Sequence, residues 1–452
     1  MSDIKIKIPN YAKYIIDKLS ENGYEAYVVG GCVRDSLIGK TPNDWDITTS
    51  ALPQQVKKIF TKTIDTGLKH GTVTILVDKE PIEVTTYRID GEYEDNRRPR
   101  TVEFTRNLIE DLKRRDFTIN AMAYNDKDGL IDAFNGLEDL KKRVIKCVGK
   151  PWERFNEDAL RMLRAIRFSA QLGYDIDDET NNAIKECSAL IQNVSMERIQ
   201  IELSKTLISQ EPGKFMKIYE CELMEYILPE FITCIGNSQN HPYHSYDIHE
   251  HLIKSVEAIK PDRALRWTML LHDIGKPETK TTDEEGIDHF YGHIELSAMM
   301  ASNILKRLKF DNKTINKVVR LIKVHDYRIN NSPKTIRKAI KKIGDDLFLD
   351  YLSVQRADIM AQNINKMDSR LQMLDSIRNQ YDEIKALSQC VSIKELKVNG
   401  KDLIENGIKE GKQIGYILNE LLDVVIIDPD KNQKETLLQI ANDIVKTRSK
   451  DL

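Results

Sequence analysis

The sequence predicts an α+β protein with a mixed α/β head followed by a mostly helical remainder. In about the first 130 residues, short apolar runs typical of strands alternate with helical patterns. After Asp132, apolar residues recur at helical spacing in one segment after another. The 452 residues are 40% hydrophobic and 31% charged, which is enough for several cores and too apolar for a disordered chain.

The elements of the head follow from these two periodicities and from glycines that end or connect them. In chain order we predict a helix at 11–22, a buried strand at 25–29, a short helix ending near Gly39, a strand at 44–49, and a hairpin of 72–77 with 82–87.

The remainder divides at polar and glycine-bearing stretches. We predict helices at 157–172, 197–209 and 214–223, a polar linker at 237–242, a helical block to about 390, and a tail with a last amphipathic helix. The expected organisation is a head at 1–145, a helical neck and body at 146–240, a further helical domain at 241–365, and a helical tail at 366–452.

Composition narrows the function classes. The chain has 68 Lys and Arg against 71 Asp and Glu, so a globally basic nucleic-acid coat is excluded. Residues 301–342 are locally basic, which fits either a solvated helix face or a phosphate-backbone footprint. No apolar run approaches the roughly 20 residues needed to cross a membrane. The six cysteines are scattered, so we expect no disulfide framework and a cytoplasmic protein.

A glycine turn opens the first candidate site. Gly30 and Gly31 follow a predicted strand and start a helix, so backbone N–H groups there would point at a phosphate. Arg34 can add a charge-assisted hydrogen bond to a phosphate oxygen. The same pattern also forms ordinary tight turns, so it is weak alone.

Two aspartates follow at a spacing that favours a metal site. Asp44 and Asp46 are residues i and i+2 of a predicted strand and therefore point to the same side. Mg²⁺ is usually held by one or two carboxylates plus substrate phosphates, and two ions can clamp an attacking hydroxyl and a leaving pyrophosphate. If no glycine turn preceded the two aspartates, we would interpret them as an exposed motif on an edge strand. Glu83 is either a third carboxylate or a surface residue.

These residues carry a family resemblance. GGCVRDSLIGKTPNDWDI, from residue 30, resembles the signature of polymerase-β-type nucleotidyltransferases. Four further segments agree in order: RIDGEYEDNRRP from residue 88, DLKRRDFTINA from 111, EDALRMLRAIR from 157 and SMERIQIEL from 195. Together they resemble the class II CCA-adding tRNA nucleotidyltransferases over about 205 residues.

Within the segment EDALRMLRAIR, a charged residue recurs every three positions. If Asp158 and Arg161 share a helix, they are neighbours and present an acceptor beside a planar donor. Cytosine and adenine both offer an amine beside a ring-nitrogen acceptor, so such a pair can select C and A without a template. The alternative is a surface ion pair worth a few tenths of a kcal/mol.

The resemblance implies a reaction and its partners. The terminal 3′ hydroxyl of tRNA would attack the α-phosphate of CTP or ATP, with Mg²⁺ on Asp44 and Asp46. It also implies that Arg115 contacts the triphosphate and that Arg164 and Arg167 lie near the nucleotide. The sequence leaves the oligomeric state open.

A histidine and aspartate pattern marks a second candidate site. The segment LLHDIGKP resembles the HD-domain phosphohydrolases, and other helices supply the remaining positions. Neutral imidazole and carboxylate suit a divalent transition metal, and a His-Asp pair can serve two ions. Asp326 is an alternative ligand, and His241, His244, His249 and His289 are read as ordinary residues. The predicted ligands are His251, His272, Asp273, His293, His325 and Asp358.

The leading interpretation joins CCA addition to hydrolysis of an RNA 3′-phosphate or 2′,3′-cyclic phosphate. The segment near 396–418 resembles the family's C-terminal portion and is expected to contact tRNA, or to form a small helical cap. The alternatives are an A-adding enzyme, a poly(A) polymerase, a metal phosphohydrolase with a non-catalytic RNA-binding N-terminal half, and a non-enzymatic tRNA-binding protein. An intact loop at 88–99 argues against an enzyme that adds only C.

Overall fold

The structure, a computed structural model, describes residues 4–91, 93–94, 98–99, 101–240, 245–362 and 367–448. His241, His244 and part of the predicted loop at 88–99 lie outside these residues. The chain forms two compact units, Met1–Ile232 and Thr233–Leu452. The predicted fold class is confirmed, because the first unit contains a β-sheet head and the rest is helical. The boundaries of the four predicted domains stay predictions.

The head is built on a seven-stranded sheet in the order β11-β10-β1-β2-β5-β4-β3. Small strand pairs surround it. The strands of the first unit are β1 Ala26–Val29, β2 Ile47–Thr49, β3 Thr63–Gly67, β4 Thr72–Val77, β5 Glu80–Thr86, β6 Arg88–Asp90, β7 Tyr93–Glu94, β8 Arg98–Pro99, β9 Val102–Phe104, β10 Met122–Asn125, β11 Gly129–Asp132, β12 Val144–Ile145 and β13 Asp175–Ile176.

The centre of this sheet follows from the sequence. All four residues of β1 are buried, as expected for an apolar run that has neighbours on both sides. The predicted hairpin is confirmed as β4 and β5, which pair up to Val77 opposite Glu80. Its two-residue loop puts Asp78 and Lys79 at positive φ, the conformation that a tight hairpin requires.

The strand predicted at 44–49 is shorter in the structure. Only Ile47–Thr49 forms β2, which pairs with β1 and β5. Asp44 and Asp46 lie just before this strand and are exposed, while Trp45 between them is buried. The prediction extended the strand too far because the alternation of exposed and buried residues continues at 44–46, before the paired strand begins.

The first unit continues as helices. The segment predicted as one helix at 157–172 is broken at Asp158, where the backbone is extended, so α6 ends and α7 begins around it. The helix predicted at 214–223 is also wrong in extent, because only Lys217–Glu220 is α-helical and Pro212–Met216 forms a 3-10 turn before it. The helices are α1 Asn10–Glu21, α2 Gly31–Leu37, α3 Pro53–Ile59, α4 Leu108–Lys113, α5 Gly136–Lys142, α6 Pro151–Glu157, α7 Leu160–Leu172, α8 Asp178–Glu186, α9 Met196–Leu207, α10 Lys217–Glu220, α11 Met224–Ile227 and α12 Pro229–Ile232.

The second unit is helical apart from one short hairpin. Its elements are α13 Ile248–Ala258, α14 Arg263–Leu271, α15 Lys276–Thr279, β14 Lys280–Thr282, β15 Asp288–Phe290, α16 His293–Arg307, α17 Asn312–Val324, α18 Pro333–Ile343, α19 Asp345–Met360, α20 Met367–Ala386, α21 Gly400–Glu405, α22 Lys412–Ile427 and α23 Lys434–Arg448.

Capping residues start several of these helices where the sequence provides them. Asp262 and Asp311 each accept a backbone N–H in the first turn of α14 and α17, and Ser332 does so for α18 before Pro333. Among the described residues, no helix is both long and apolar enough to span a membrane. All six cysteines are free and buried, as expected.

Candidate active sites

The glycine turn joins β1 to α2 and lies against the first aspartate pair. Gly30 has φ +81°, a conformation that favours glycine. The Val29 amide donates to the Asp46 carbonyl at 3.0 Å, so the turn and the aspartate are joined through the backbone. A Cβ atom on Gly30 would lie 3.1 Å from Nη1 of Arg115. A substituent here would therefore crowd the arginine that lies over the turn.

Three carboxylates face this turn. Asp44, Asp46 and Glu83 are exposed, and the parallel pairing of Ile47 with Val84 puts Asp46 and Glu83 at adjacent positions of neighbouring strands. Restricted solvation raises the pKa of Asp46; Arg115 opposes the rise, and Glu83 and Asp44 add to it. This concentration of negative charge fits a divalent cation with oxygen ligands. The structure thus brings Glu83 to the pair that the sequence singled out.

Three arginines predicted to bind nucleotide surround the Phe168 ring. The guanidinium carbons of Arg34, Arg164 and Arg167 lie 5.1, 5.4 and 4.0 Å from its centroid. Cation–π contacts and hydrogen bonds hold these side chains in place. Arg34 donates to the Asn120 amide oxygen at 2.7 Å, and Gly31 begins the helix that carries Arg34.

Buried carboxylates fix two of these arginines. Asp116 accepts two hydrogen bonds from Arg164, at 2.8 and 2.5 Å. Glu202 pairs with Arg167 at 2.6 Å. Burial alone would raise the pKa of Asp116, but Arg164 and Arg161 lower it to about 2. Asp116 is therefore ionised at neutral pH and holds Arg164 in a fixed orientation.

Asp158 and Arg161 have separate partners. Asp158 precedes α7 and accepts hydrogen bonds from both terminal nitrogens of Arg198, at 3.2 and 2.8 Å. Arg161 donates to Glu157 at 2.7 Å and to the Arg114 carbonyl at 3.0 Å. The expectation that the two stand side by side on one helix is wrong, because the helix breaks between them.

The second candidate site assembles the predicted histidines and aspartates into one cluster, which we call the His–Asp cluster. Among the described residues, groups of three ligand atoms within 4.8 Å of one another occur only here. One group is His251, His272 and Asp273, and the other is Asp273, His293 and His325. Asp358 joins the first group, with Oδ1 3.2 Å from Nε2 of His251. Asp273 is common to both groups, an arrangement that suits two ions.

All four imidazoles of the cluster are oriented alike. Their Nδ1 atoms lie within hydrogen-bond distance of the backbone carbonyls of Ala361, Met269, Phe290 and Ile322. An Nδ1–H that donates to a carbonyl leaves Nε2 as a lone pair, and the Nε2 atoms lie near the two carboxylates. This is the way that proteins prepare histidines for a metal. The geometry therefore fits a transition-metal centre.

The carboxylates of the cluster are buried and require positive charge. Oδ1 of Asp273 is buried without a hydrogen-bond partner, 3.5 and 3.4 Å from Nε2 of His293 and His325. Burial alone would lower the pKa of His272, but Asp273 and Asp358 raise it to about 10. A divalent ion would supply this positive charge at the same place.

An open cavity of about 570 Å³ gives access to the cluster. Asp273, His293, His325 and Asp358 lie in its wall. The alternative ligand Asp326 also lines it, but its side chain is half exposed and pairs with Arg328 at 2.6 Å. A substrate can therefore reach the cluster from solvent.

Comparison with known proteins identifies the family. Residues 26–146 match the family model described as the poly A polymerase head domain, and residues 278–441 match that described as tRNA nucleotidyltransferase domain 2. The CCA-adding enzyme of Ligilactobacillus salivarius is 36% identical over 439 residues, covering 96% of both chains. The chain belongs to the CCA-adding enzyme family. It is a nucleotidyltransferase, as the motifs of the head predict.

Other relatives agree. The CCA-adding enzyme of Pediococcus pentosaceus is 35% identical over 96% of this chain and 98% of its own. The crystal structure of the Bacillus stearothermophilus CCA-adding enzyme in complex with CTP has a TM-score of 0.73 and 29% identity over 98% of both chains. The Thermotoga maritima CCA-adding enzyme complexed with tRNA has a TM-score of 0.57, at 21% identity over 98% of this chain and 97% of its own, and shares the fold.

In this member of the CCA-adding enzyme family, several supporting residues escaped sequence reasoning. Asp116 and Arg198 orient predicted site residues, and both lie inside the quoted motifs, so their position in those motifs was a usable signal. Phe168 directly follows Arg167, but an aromatic at helical spacing is more often a core residue. Lys276, which contacts Asp273 at 2.7 Å, also stands in a quoted motif, three residues after it.

Proposed function

We propose that the chain adds C, C and A to tRNA 3′ ends from CTP and ATP without a nucleic-acid template. The observation that carries this proposal is the convergence of Asp44, Asp46 and Glu83 on the Gly30 turn, with Arg115 over it. The membership of the chain in the CCA-adding enzyme family supports this proposal, as does a solved relative at 29% identity that was crystallised with CTP.

The proposed roles follow from the contacts. Asp44 and Asp46 hold Mg²⁺, which would activate the terminal 3′ hydroxyl and neutralise charge on the leaving pyrophosphate. Gly31 and Arg34 provide backbone and side-chain donors for phosphate oxygens at the start of α2. Arg115, which influences Asp46 electrostatically, binds the triphosphate beside the metal.

Asp158 and Arg161 select the base from opposite sides of the helix break. Oδ1 of Asp158 accepts hydrogen bonds from Arg198 and from the Leu160 amide, whereas Oδ2 accepts from Arg198 and has a lone pair for a second hydrogen bond. Arg161 uses two of its five N–H groups on Glu157 and Arg114. The pair therefore keeps an acceptor and donors for a cytosine or adenine edge, and Arg164 and Arg167 complete the nucleotide pocket.

The organisation at 1–145, 146–240, 241–365 and 366–452 gives each segment a task under this proposal. The head holds the metal and triphosphate, and the neck selects the base. The third segment carries the His–Asp cluster, and the tail contacts tRNA. The match of residues 278–441 to a tRNA nucleotidyltransferase model supports a role of the C-terminal part in tRNA addition.

The test uses tRNA that lacks its 3′ CCA and labelled nucleotides. With CTP alone, we expect addition to stop after two residues; with both nucleotides, a third residue should follow. Addition from ATP alone to the same tRNA would favour poly(A) synthesis, seen as a long ladder. Addition only to tRNA that already ends in CC would favour an A-adding enzyme.

We also propose that the His–Asp cluster binds divalent transition metal and hydrolyses an RNA 3′-phosphate or 2′,3′-cyclic phosphate. The convergence of four Nε2 atoms on two buried carboxylates carries this second function. A metal there would supply an activated water for attack on phosphorus. Lys276 contacts Asp273 and would help to neutralise a phosphate beside it.

Phosphate release is measured with Mn²⁺, Co²⁺ or Ni²⁺ and with a chelator. We expect metal-dependent release from a 2′,3′-cyclic nucleotide, lost in Asp273→Ala and kept in the control His70→Ala, which changes an exposed histidine of the head. No release with any of the metals would refute this function. Strong release without nucleotide addition would instead favour a phosphohydrolase with a non-catalytic RNA-binding half.

A further inference from the structure

An exposed aromatic pair lies at the mouth of the cavity that leads to the His–Asp cluster. Tyr291 is 78% exposed, the largest fraction among the exposed large hydrophobic residues. Its ring lies parallel to that of His289, with centroids 5.5 Å apart and 10° between the planes. Both residues line the cavity. An exposed ring backed by a second ring offers one flat face to a ligand.

Hydrogen bonds hold His289, the inner ring of this pair, and the hairpin that carries it. His289 lies on β15, and its Nε2 is 2.7 Å from Oδ2 of Asp283. The buried Asp288 accepts from Nζ of Lys280 at 2.9 Å and from the Asn240 amide at 2.7 Å. The contacts with Asp283 and Lys280 lie within the hairpin of β14 and β15, and the contact with Asn240 attaches the hairpin to the preceding segment. Little ordering is therefore required when a ligand stacks on it.

The aromatic pair and residues of the His–Asp cluster line the same cavity. Tyr291 precedes the cluster residue His293 by two residues, a chain distance of at most about 7 Å. In a nucleotide with a 3′-phosphate, one ribose separates the base from that phosphate. A phosphate at the cluster can thus leave its base on the Tyr291 ring.

Two arginines add the charge that such a ligand requires. Arg328 and Arg370 line the same cavity. Arg370 donates to Gln362, which in turn donates to Asp358 at 2.9 Å. Aromatic faces beside basic side chains are typical of sites for single-stranded nucleic acid, where each base has a face to stack.

We propose that Tyr291, backed by His289, binds the base of a 3′-terminal nucleotide whose phosphate lies at the His–Asp cluster. The proposal rests on the proposed function of the cluster and adds how the base of that substrate is bound. Stacking tolerates any base, so one site would accept RNA ends of different sequence. Tyr291 is thus a specificity residue for the nucleoside part and takes no part in bond cleavage.

The first test measures binding of 3′-AMP and of glycerol 2-phosphate to the full chain with Mn²⁺ by calorimetry. Tyr291→Ala should weaken 3′-AMP binding about tenfold and leave glycerol 2-phosphate unchanged. Tyr291→Phe keeps the ring and should bind normally. The control Tyr219→Ala removes an exposed tyrosine of the other unit. Ligand binding that persists in His272→Ala is assigned to sites other than the His–Asp cluster, and its contribution is subtracted.

The second test separates this inference from hydrolysis itself. Tyr291→Ala should raise KM about tenfold for 2′,3′-cyclic AMP with kcat unchanged, and change neither constant for glycerol 1,2-cyclic phosphate. Equal loss for both ligands, or unaltered 3′-AMP binding, would overturn the proposal. If the unmutated protein hydrolyses neither ester but 3′-AMP binding depends on Tyr291, the hydrolase fails and the stacking site stands.

Discussion

In the head, Asp44, Asp46 and Glu83 stand exposed beside a glycine turn, whereas in the second unit His251, His272 and Asp273 are buried. Asp44 and Asp46 lie just before β2 and Glu83 lies on the neighbouring β5, whereas the imidazoles come from separate helices or their ends and are oriented by backbone carbonyls. Under the proposed function, the head site would leave part of its metal coordination to an incoming triphosphate, and the His–Asp cluster would bind its metal before any substrate arrives.

Under the proposed function, this difference makes metal binding and substrate binding coupled in the head site and separable in the His–Asp cluster. Mg²⁺ on one or two carboxylates usually keeps substrate phosphates among its ligands. A set of preoriented imidazoles and carboxylates supplies enough ligands to bind a metal without any substrate. The following predictions test the two sites against each other.

The largest effect is expected from the head carboxylates. Asp46→Ala should reduce nucleotide addition about a thousandfold, because a lost metal ligand removes several kcal/mol of transition-state stabilisation. Incorporation of labelled CTP into tRNA lacking CCA measures this. Phosphate release at the His–Asp cluster should be unchanged in the same variant. A parallel fall in both activities would mean that the two sites do not work independently.

The next largest effect is expected from Asp116, the carboxylate that holds Arg164. Asp116→Asn removes a buried charge that holds this arginine, so the free energy of unfolding should fall by about 3 kcal/mol. Because the pKa of folded Asp116 is about 2, below its ordinary value, this carboxylate stabilises the fold above pH of about 4. About 2 kcal/mol of that stability is lost as the pH falls toward 2.

Denaturant unfolding at several pH values tests this point. The unmutated protein should lose stability through this range, and the variant should lose about 2 kcal/mol less. If the free energy of unfolding of the variant fell with pH as steeply as that of the unmutated protein, other carboxylates would govern the loss of stability in acid.

A metal titration distinguishes the two sites directly. Mn²⁺ at 100 times its dissociation constant should stabilise the unmutated protein by about 2.7 kcal/mol without any nucleotide. His272→Ala should abolish this gain, whereas Asp46→Ala should keep it. Thermal unfolding with Mn²⁺ and with a chelator measures the shift. If the gain persisted in His272→Ala, the His–Asp cluster would not be the preformed metal site.

The smallest effect concerns base selection. Asp158→Ala should raise incorporation of UTP relative to CTP about tenfold, because one hydrogen bond to a base edge is worth about 1 kcal/mol or slightly more. Glu153→Ala, an exposed acidic residue of α6, is the matched control. An unchanged ratio in Asp158→Ala would leave base selection to other residues.

Sequence patterns predicted which side chains come together better than they predicted the contacts that hold them. The hairpin of β4 and β5 was predictable because alternation and turn residues are local signals. The His–Asp cluster was predictable because histidine and aspartate are unusual residue types at the ends of separate helices. The break at Asp158 was missed because the 3.6-residue pattern continues across it, and a tertiary bond to Arg198 stabilises the extended residue. Tyr291 gave no signal, because a single exposed aromatic has no periodicity.

The most direct test of the central claim is stepwise addition to a tRNA that lacks its last three nucleotides. The account predicts two C residues from CTP alone, one further A when ATP is supplied, and no extension beyond that. It also predicts no product at either step from a protein with both Asp44→Ala and Asp46→Ala. Full addition by that double variant would contradict the assignment of these carboxylates, and a long A ladder from the unmutated protein would contradict CCA addition.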